Sequence, residues 1–92
     1  MPYIDNKARL KIEYKGENIN YISELSSVIE NEGELNYVIT RLCSNFLKQK
    51  GEKYSVYNTL IGVLDCVKLE FYRRKVSTYE DTKIKINGDV YE

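Results

Sequence analysis

The sequence contains no histidine and no tryptophan, and it has only two cysteines among 92 residues. Histidine is the most common acid–base catalyst and a frequent zinc ligand. Cys43 and Cys66 lie far apart without C-x-x-C spacing, so zinc sites and cysteine–histidine chemistry are not expected. We therefore predict a protein that is not an enzyme and uses no metal and no cofactor. The two thiols are interpreted as helix-packing residues in a reducing compartment.

An excess of charge of either sign is also missing, because 14 basic residues balance 14 acidic ones. A general nucleic-acid binder carries a clear basic excess, so that class is not expected. No segment approaches the ~20 apolar residues of a membrane span, and no signal-peptide pattern is present. These absences predict a cytoplasmic protein without membrane contact, which would meet any anionic ligand through a local cluster of cations.

The apolar pattern that is present indicates a mainly α fold. We predict one domain over residues 1–92, a small bundle of three to four helices, with residues 1–17 as an extended arm because "LKIEYK" alternates apolar and polar residues. A short helix follows from residue 18 or 20 to 31, and a second runs from 34 to about 49. In the second helix Leu35, Val38, Ile39, Leu42 and Phe46 form one stripe.

The longest predicted helix spans about residues 55–76 and is apolar over too wide an arc for one neighbour. A chain this short buries little core, so we expect this helix to be both the central helix of the domain and the homo-oligomer interface. Two alternatives remain for the end of the chain. Ser77 with Glu80 fits a capping box and Asn87-Gly88 a helix stop, which predicts a short separate helix. The other possibility is a hairpin that turns at Asn-Gly.

A candidate binding site lies in "LEFYRRKVSTYEDTKI", residues 69–84, where tyrosines and cations stand together. Tyrosine offers a stacking face and a hydroxyl, and arginine offers a planar fork that matches phosphate. If Glu70 pairs with Arg73 or Arg74, that arginine has a structural role and the other is the better ligand candidate. A cation-rich helix end with a packed tyrosine is the plainer interpretation. The predicted ligand-binding residues are Tyr72, Arg73, Arg74, Lys75 and Tyr79, with Asn36, Tyr37 and Arg41 reaching in from the second helix.

The chain resembles a family of short proteins of about this length found in bacteriophages and bacterial genomes. The strings that carry the resemblance are "GELNYVITRL", "YNTLIGVLDCVKLEFYRR", "YEDTKI" and "NGDVYE". The resemblance implies no particular activity. In general character the chain is also similar to small phage anti-defence proteins that act as sponges for nucleotide immune signals.

Three functional hypotheses follow. The first is a homo-oligomer that sequesters a nucleotide-derived signal, such as a cyclic oligonucleotide or a cyclic ADP-ribose-like molecule, in the host cytoplasm. The second is a module that binds a host or phage protein through the long apolar helix. The third is a metal-dependent nucleotide hydrolase that uses the acidic residues Asp65, Glu70, Glu80 and Asp81.

Overall fold

The computed structural model describes residues 2–91, which form helices and no strand. The mainly α fold class is therefore confirmed. The helices are α1 (Asn6–Tyr14), α2 (Tyr21–Ser27), α3 (Glu32–Lys50), α4 (Tyr54–Phe71) and α5 (Ser77–Asn87), with a π-helical turn (Tyr72–Val76) that joins α4 to α5.

The predicted extended arm at residues 1–17 is wrong, because α1 occupies most of that segment. Asp5 is the N-cap, and its carboxylate accepts a hydrogen bond from the Ala8 N–H at 2.8 Å. The helix ends at Lys15, which adopts a left-handed conformation (φ 51°). The local cap therefore outweighs the alternation of "LKIEYK", which on its own is typical of a strand.

Asparagine caps begin the next two helices. The Asn20 side chain accepts from the Ser23 N–H at 2.9 Å, and the Asn31 side chain accepts from the Glu34 N–H at 2.9 Å. α2 is shorter than predicted and ends at Ser27. α3 starts two residues before the predicted position and ends one after it, with Gly51 as its C-cap.

The chain stays helical without a break from Tyr54 to Asn87. The predicted capping box at Ser77 is wrong: Ser77 has α-helical dihedrals (φ −57°, ψ −43°), whereas an N-cap needs extended backbone. The predicted stop at the other end is confirmed, since Gly88 (φ 90°) donates its N–H to the Ile84 carbonyl at 2.8 Å. The hairpin alternative is thereby excluded.

By their internal contacts the residues divide into two units, Pro2–Tyr57 and the segment from Asn58 onward. In the first unit α1 packs against α2. In the second, the π-helical turn continues directly into α5 as one helix. The prediction of one domain stays a prediction. None of the helices formed by residues 2–91 is long and apolar enough to cross a membrane.

None of the residues that the structure describes is buried. Large apolar side chains remain exposed along every helix, among them Leu42 at 58% and Phe71 at 62%. Cys43 is half-buried and Cys66 is exposed. The interpretation of both cysteines as packing residues therefore does not hold for Cys66 within one chain.

Candidate anion-binding site

The candidate site is centred on the π-helical turn, which consists of "YRRKV". Its defining hydrogen bond runs from the Ser77 N–H to the Tyr72 carbonyl, five residues back. Such turns are rare, and they occur within α-helices frequently at functional sites. Four of the eight predicted ligand-binding residues, Tyr72 to Lys75, form this turn together with Val76.

One of the two arginine pairings that the sequence left open is present. The Arg73 guanidinium donates to the Glu70 carboxylate at 2.6 Å. The Glu70 side chain is 20% exposed, whereas that of Arg73 is 65% exposed. Arg73 is thus held against the helix by a carboxylate that is itself largely covered, while Arg74 and Lys75 follow on the same turn with exposed side chains.

Tyr72 is held by a second carboxylate. Its hydroxyl donates a hydrogen bond to Glu80. In a regular α-helix, two residues eight apart in sequence are rotated by about 80° from one another around the helix axis. The π-helical turn reduces the rotation per residue and brings Tyr72 and Glu80 together. Glu80 was predicted to complete a capping box with Ser77, and it contacts Tyr72 instead.

The hydrogen bond to Glu80 raises the pKa of the Tyr72 hydroxyl, and the charge of that carboxylate adds to the effect. The phenol therefore stays protonated to a higher pH than an ordinary tyrosine and keeps its donor role there. Tyr72 remains 49% exposed, so its ring is accessible while its hydroxyl is fixed.

Tyr79 is 62% exposed on α5. The Lys83 ammonium lies 5.5 Å from the centroid of its ring, within the range of a cation–π contact. The sequence prediction missed Lys83, although its i, i+4 spacing from Tyr79 was a usable signal. The structure thus adds a fourth cation to the segment that follows the π-helical turn.

The other three predicted residues lie on α3, in the first unit. Tyr37 and Arg41 are four residues apart and so occupy one side of the helix. Asn36 lies on a different side of the helix, where its side-chain amide oxygen accepts a hydrogen bond from the Thr40 hydroxyl at 3.2 Å. The three therefore do not form one set on α3, and their contribution to the site stays a prediction.

A separate cleft of about 390 Å³ lies in the first unit, between the segment before α1 and the helices α1 and α2. Its lining is mostly apolar, with one cation and one carboxylate. Arg9 spans the segment by donating to the Ile4 carbonyl at 3.0 Å. The sequence prediction missed this cleft, because the cleft forms only when residues 6–14 are helical and the prediction made them an extended arm. The lining residues are Pro2, Ile4, Arg9, Ile12, Glu13 and Ile22.

Acidic residues are dispersed along the described chain. Residues 2–91 contain no group of three or more cysteine, aspartate or glutamate side chains placed to hold a metal ion. Within the second unit, Glu70 and Glu80 contact Arg73 and Tyr72 respectively. Asp65 lies 3.9 Å from Lys68.

Fold and site together define a small all-helical protein with a tyrosine and cation cluster on a π-helical turn. The chain belongs to the family described as Domain of unknown function (DUF6899), whose family model matches residues 1–90. It has no significant match among curated proteins and none among solved structures.

Proposed function

We propose that the protein binds and sequesters a nucleotide-derived anion at the cluster formed by Tyr72, Arg73, Arg74, Lys75 and Tyr79. One observation carries the proposal: the π-helical turn coincides with the run of one tyrosine and three cations. The cations do not lie at a helix end, because the chain stays helical to Asn87, so complementing a helix terminus does not account for them. Irregular turns of this kind frequently serve binding sites.

The contacts within the cluster suit recognition of a phosphate next to an aromatic base. Glu70 orients Arg73 and Glu80 orients Tyr72, so both side chains lose less freedom on binding. Arginine binds phosphate oxygens through a planar fork, and the tyrosine ring offers a stacking face. Lys75 adds a third positive charge beside them.

The charge balance of the cluster restricts the ligand class. Three cations, Arg73 to Lys75, stand close in sequence to three carboxylates, Glu70, Glu80 and Asp81. A ligand that relied on charge alone would gain little here. We therefore propose a ligand with one or two phosphodiester charges and at least one purine, such as a cyclic dinucleotide or a cyclic ADP-ribose-like molecule.

The biological setting that we propose comes from the resemblance to short phage and bacterial proteins. A sponge of this kind would counter host anti-phage defence by removing the signal without altering it. It would act as a homo-oligomer in the cytoplasm of the host cell.

A thermal-shift screen tests the binding. A ligand that binds only the native state stabilises it by RT ln(1 + [L]/Kd), about 2.7 kcal/mol at a hundredfold excess over Kd. We expect one or more cyclic nucleotides or cyclic ADP-ribose analogues to raise the melting temperature by several degrees. The bound compound should be recovered intact after heat release. Altered compound would instead indicate catalysis, and no response to any of them would contradict the proposal.

Variants of the cluster show whether the binding occurs there. Loss of a charge-assisted hydrogen bond costs roughly 1.5–3 kcal/mol, so Arg74→Ala should weaken binding about ten- to a hundredfold. Arg74→Lys keeps the positive charge but lacks the planar guanidinium, so its affinity should lie between those of the original protein and Arg74→Ala. Lys68→Ala is the matched control, since Lys68 is an exposed cation on α4 whose contact is with Asp65. An equal loss in the control would mean that only general charge matters.

A second candidate function is a module that binds a host or phage protein. The observation that favours it is the exposed apolar surface of α4, where Ile61 is 60% and Val67 56% exposed. Such a protein should ignore the nucleotide screen. Its partner binding should be lost in Val67→Glu and retained in Arg74→Ala.

A further inference from the structure

The cleft of the first unit has the size and the lining of a small-molecule site. Its volume of about 390 Å³ lies within the range of about 300–1,000 Å³ that such sites occupy. The apolar lining is open to a ligand, because Ile4 is 41%, Ile12 56% and Ile22 50% exposed. An apolar lining with a few polar groups is typical of sites that bind small molecules.

The polar groups of the cleft are one cation and one carboxylate on the same side of α1. Arg9 and Glu13 both line the cleft, and their i, i+4 spacing makes them neighbours on the helix surface. The Arg9 Nε donates to the Ile4 carbonyl at 3.0 Å, which orients the guanidinium and leaves its Nη groups as donors. Glu13 is half-buried. The cleft therefore presents a positive and a negative group beside an apolar wall.

These two charges do not satisfy one another. Within residues 2–91 no ion pair joins Arg9 to Glu13. An arginine that precedes its glutamate is the weaker orientation of an i, i+4 pair, and the bond to Ile4 restrains the guanidinium further. An apolar segment that covered the cleft would have to bury both charges without partners, at high cost. A small zwitterion supplies a partner for each charge.

We propose that this cleft binds a free amino acid with an apolar side chain. The carboxylate of the amino acid accepts hydrogen bonds from the Nη groups of Arg9, a pairing that can be bidentate. Its ammonium donates to the Glu13 carboxylate, and its side chain lies against the isoleucines. Both charged groups of an α-amino acid are attached to one carbon, which suits two side chains whose Cβ atoms lie about 5–6 Å apart.

The inference concerns a different part of the chain from the cluster at residues 72–79, and it holds whether or not a nucleotide binds there. All residues that line the cleft belong to Pro2–Tyr57. Amide chemical shifts in the two parts of the chain can therefore be followed separately.

A titration by NMR with leucine and three simpler probes tests the proposal. Isocaproate is leucine without the ammonium, isoamylamine is leucine without the carboxylate, and alanine lacks the apolar body. We expect leucine to shift the amides of residues 4–22, with a dissociation constant of about 0.1–10 mM, as befits so small a ligand. Each of the other three probes should bind about fivefold or more weaker, because each loses one contact.

Two variants assign the charged contacts to their side chains. Glu13→Gln should weaken leucine binding about fivefold or more and leave isocaproate binding unchanged, since isocaproate has no ammonium. Arg9→Gln should weaken leucine and isocaproate and leave isoamylamine unchanged. The matched control is Lys11→Gln, which removes an exposed cation about 200° round α1 from Arg9. It should bind all four probes as the original protein does.

Three results would overturn the inference. The first is the absence of any leucine-dependent shift at residues 4–22, which would leave the cleft closed or covered in solution. The second is leucine that binds no more tightly than isocaproate and isoamylamine, because the cleft would then be only apolar. The third is an equal loss of leucine binding in Lys11→Gln and Arg9→Gln. If Arg9→Gln fails to fold by circular dichroism, the comparison of probes on the original protein decides.

Discussion

At the scale of the residue, Tyr72 reports directly on the geometry of the π-helical turn. Its pKa is raised above the ordinary value of about 10 by the hydrogen bond to Glu80. A raised pKa in the folded protein means that the stabilising effect is complete below pH ~10 and is lost as the pH rises through the raised value. Glu80→Gln should bring the Tyr72 pKa back toward its ordinary range.

Tyrosine titration by NMR measures this shift, with Tyr72→Phe to assign the signal. Tyr21 is an internal control, because its hydroxyl donates to Glu17 at 2.5 Å and its pKa is raised by that separate hydrogen bond. Glu80→Gln should leave Tyr21 unchanged. A Tyr72 titration that is the same with and without the Glu80 carboxylate would show that the two side chains do not meet in solution.

The two cysteines differ in exposure and give a second prediction at this scale. Cys43 is half-buried on α3, and Cys66 is exposed on α4. Because Cys43 is the more covered of the two, we expect Cys43 in a Cys66→Ser variant to react with a thiol reagent more slowly than Cys66 in a Cys43→Ser variant. Equal rates would contradict the prediction.

At the scale of the element, the end of α3 depends on a glycine. Gly51 has φ 95° and ψ 146°, and its N–H donates to the Leu47 carbonyl at 2.8 Å. Residues other than glycine rarely adopt this conformation, because it costs them about 1–3 kcal/mol of backbone strain. A Cβ there would meet only the flexible Lys53 side chain, at 3.8 Å, so the expected cost of Gly51→Ala is conformational.

Gly62→Ala is the matched change in ordinary helix, since Gly62 lies inside α4 with nothing within 4 Å of an added Cβ. It should stabilise by about 0.5–1 kcal/mol. Urea unfolding at one protein concentration gives both values. Opposite signs are expected, and a destabilising Gly62→Ala would contradict an open surface at that side of α4.

Some of these elements could be predicted from sequence, and the exceptions have physical causes. α3 carries one apolar stripe and a terminal glycine, and these two signals agreed, whereas its Asn31 cap was missed because the helix was expected to start at residue 34. At Ser77 the cap signal was present in sequence, but the backbone before it was already helical and offered no extended N-cap. At α1 the Asp5 cap favours a helix, although the alternation of apolar and polar residues there is typical of a strand. The Arg73–Glu70 pair was one of two pairings that i, i+3 and i, i+4 spacing allowed, whereas Tyr72–Glu80 needed a π-helical turn that no spacing rule anticipates.

At the scale of the whole molecule, the proposed homo-oligomer would couple stability to self-association. No described residue of the chain is buried, and the free energy of folding comes mainly from apolar surface removed from water. Folding of these helices therefore requires apolar contacts beyond the ones that each unit makes internally. In the proposed homo-oligomer a second copy would supply them, and stability would then depend on concentration.

The melting temperature should accordingly rise with protein concentration, because association stabilises the native state by mass action. For a dimer of chains this size we expect roughly 3 °C per tenfold increase, measured by circular dichroism from 1 to 100 µM. Val67→Glu on α4 should melt lower and lose the dependence, while Lys68→Ala on the same helix should keep it. A melting temperature that stays constant over this range would contradict the proposed homo-oligomer.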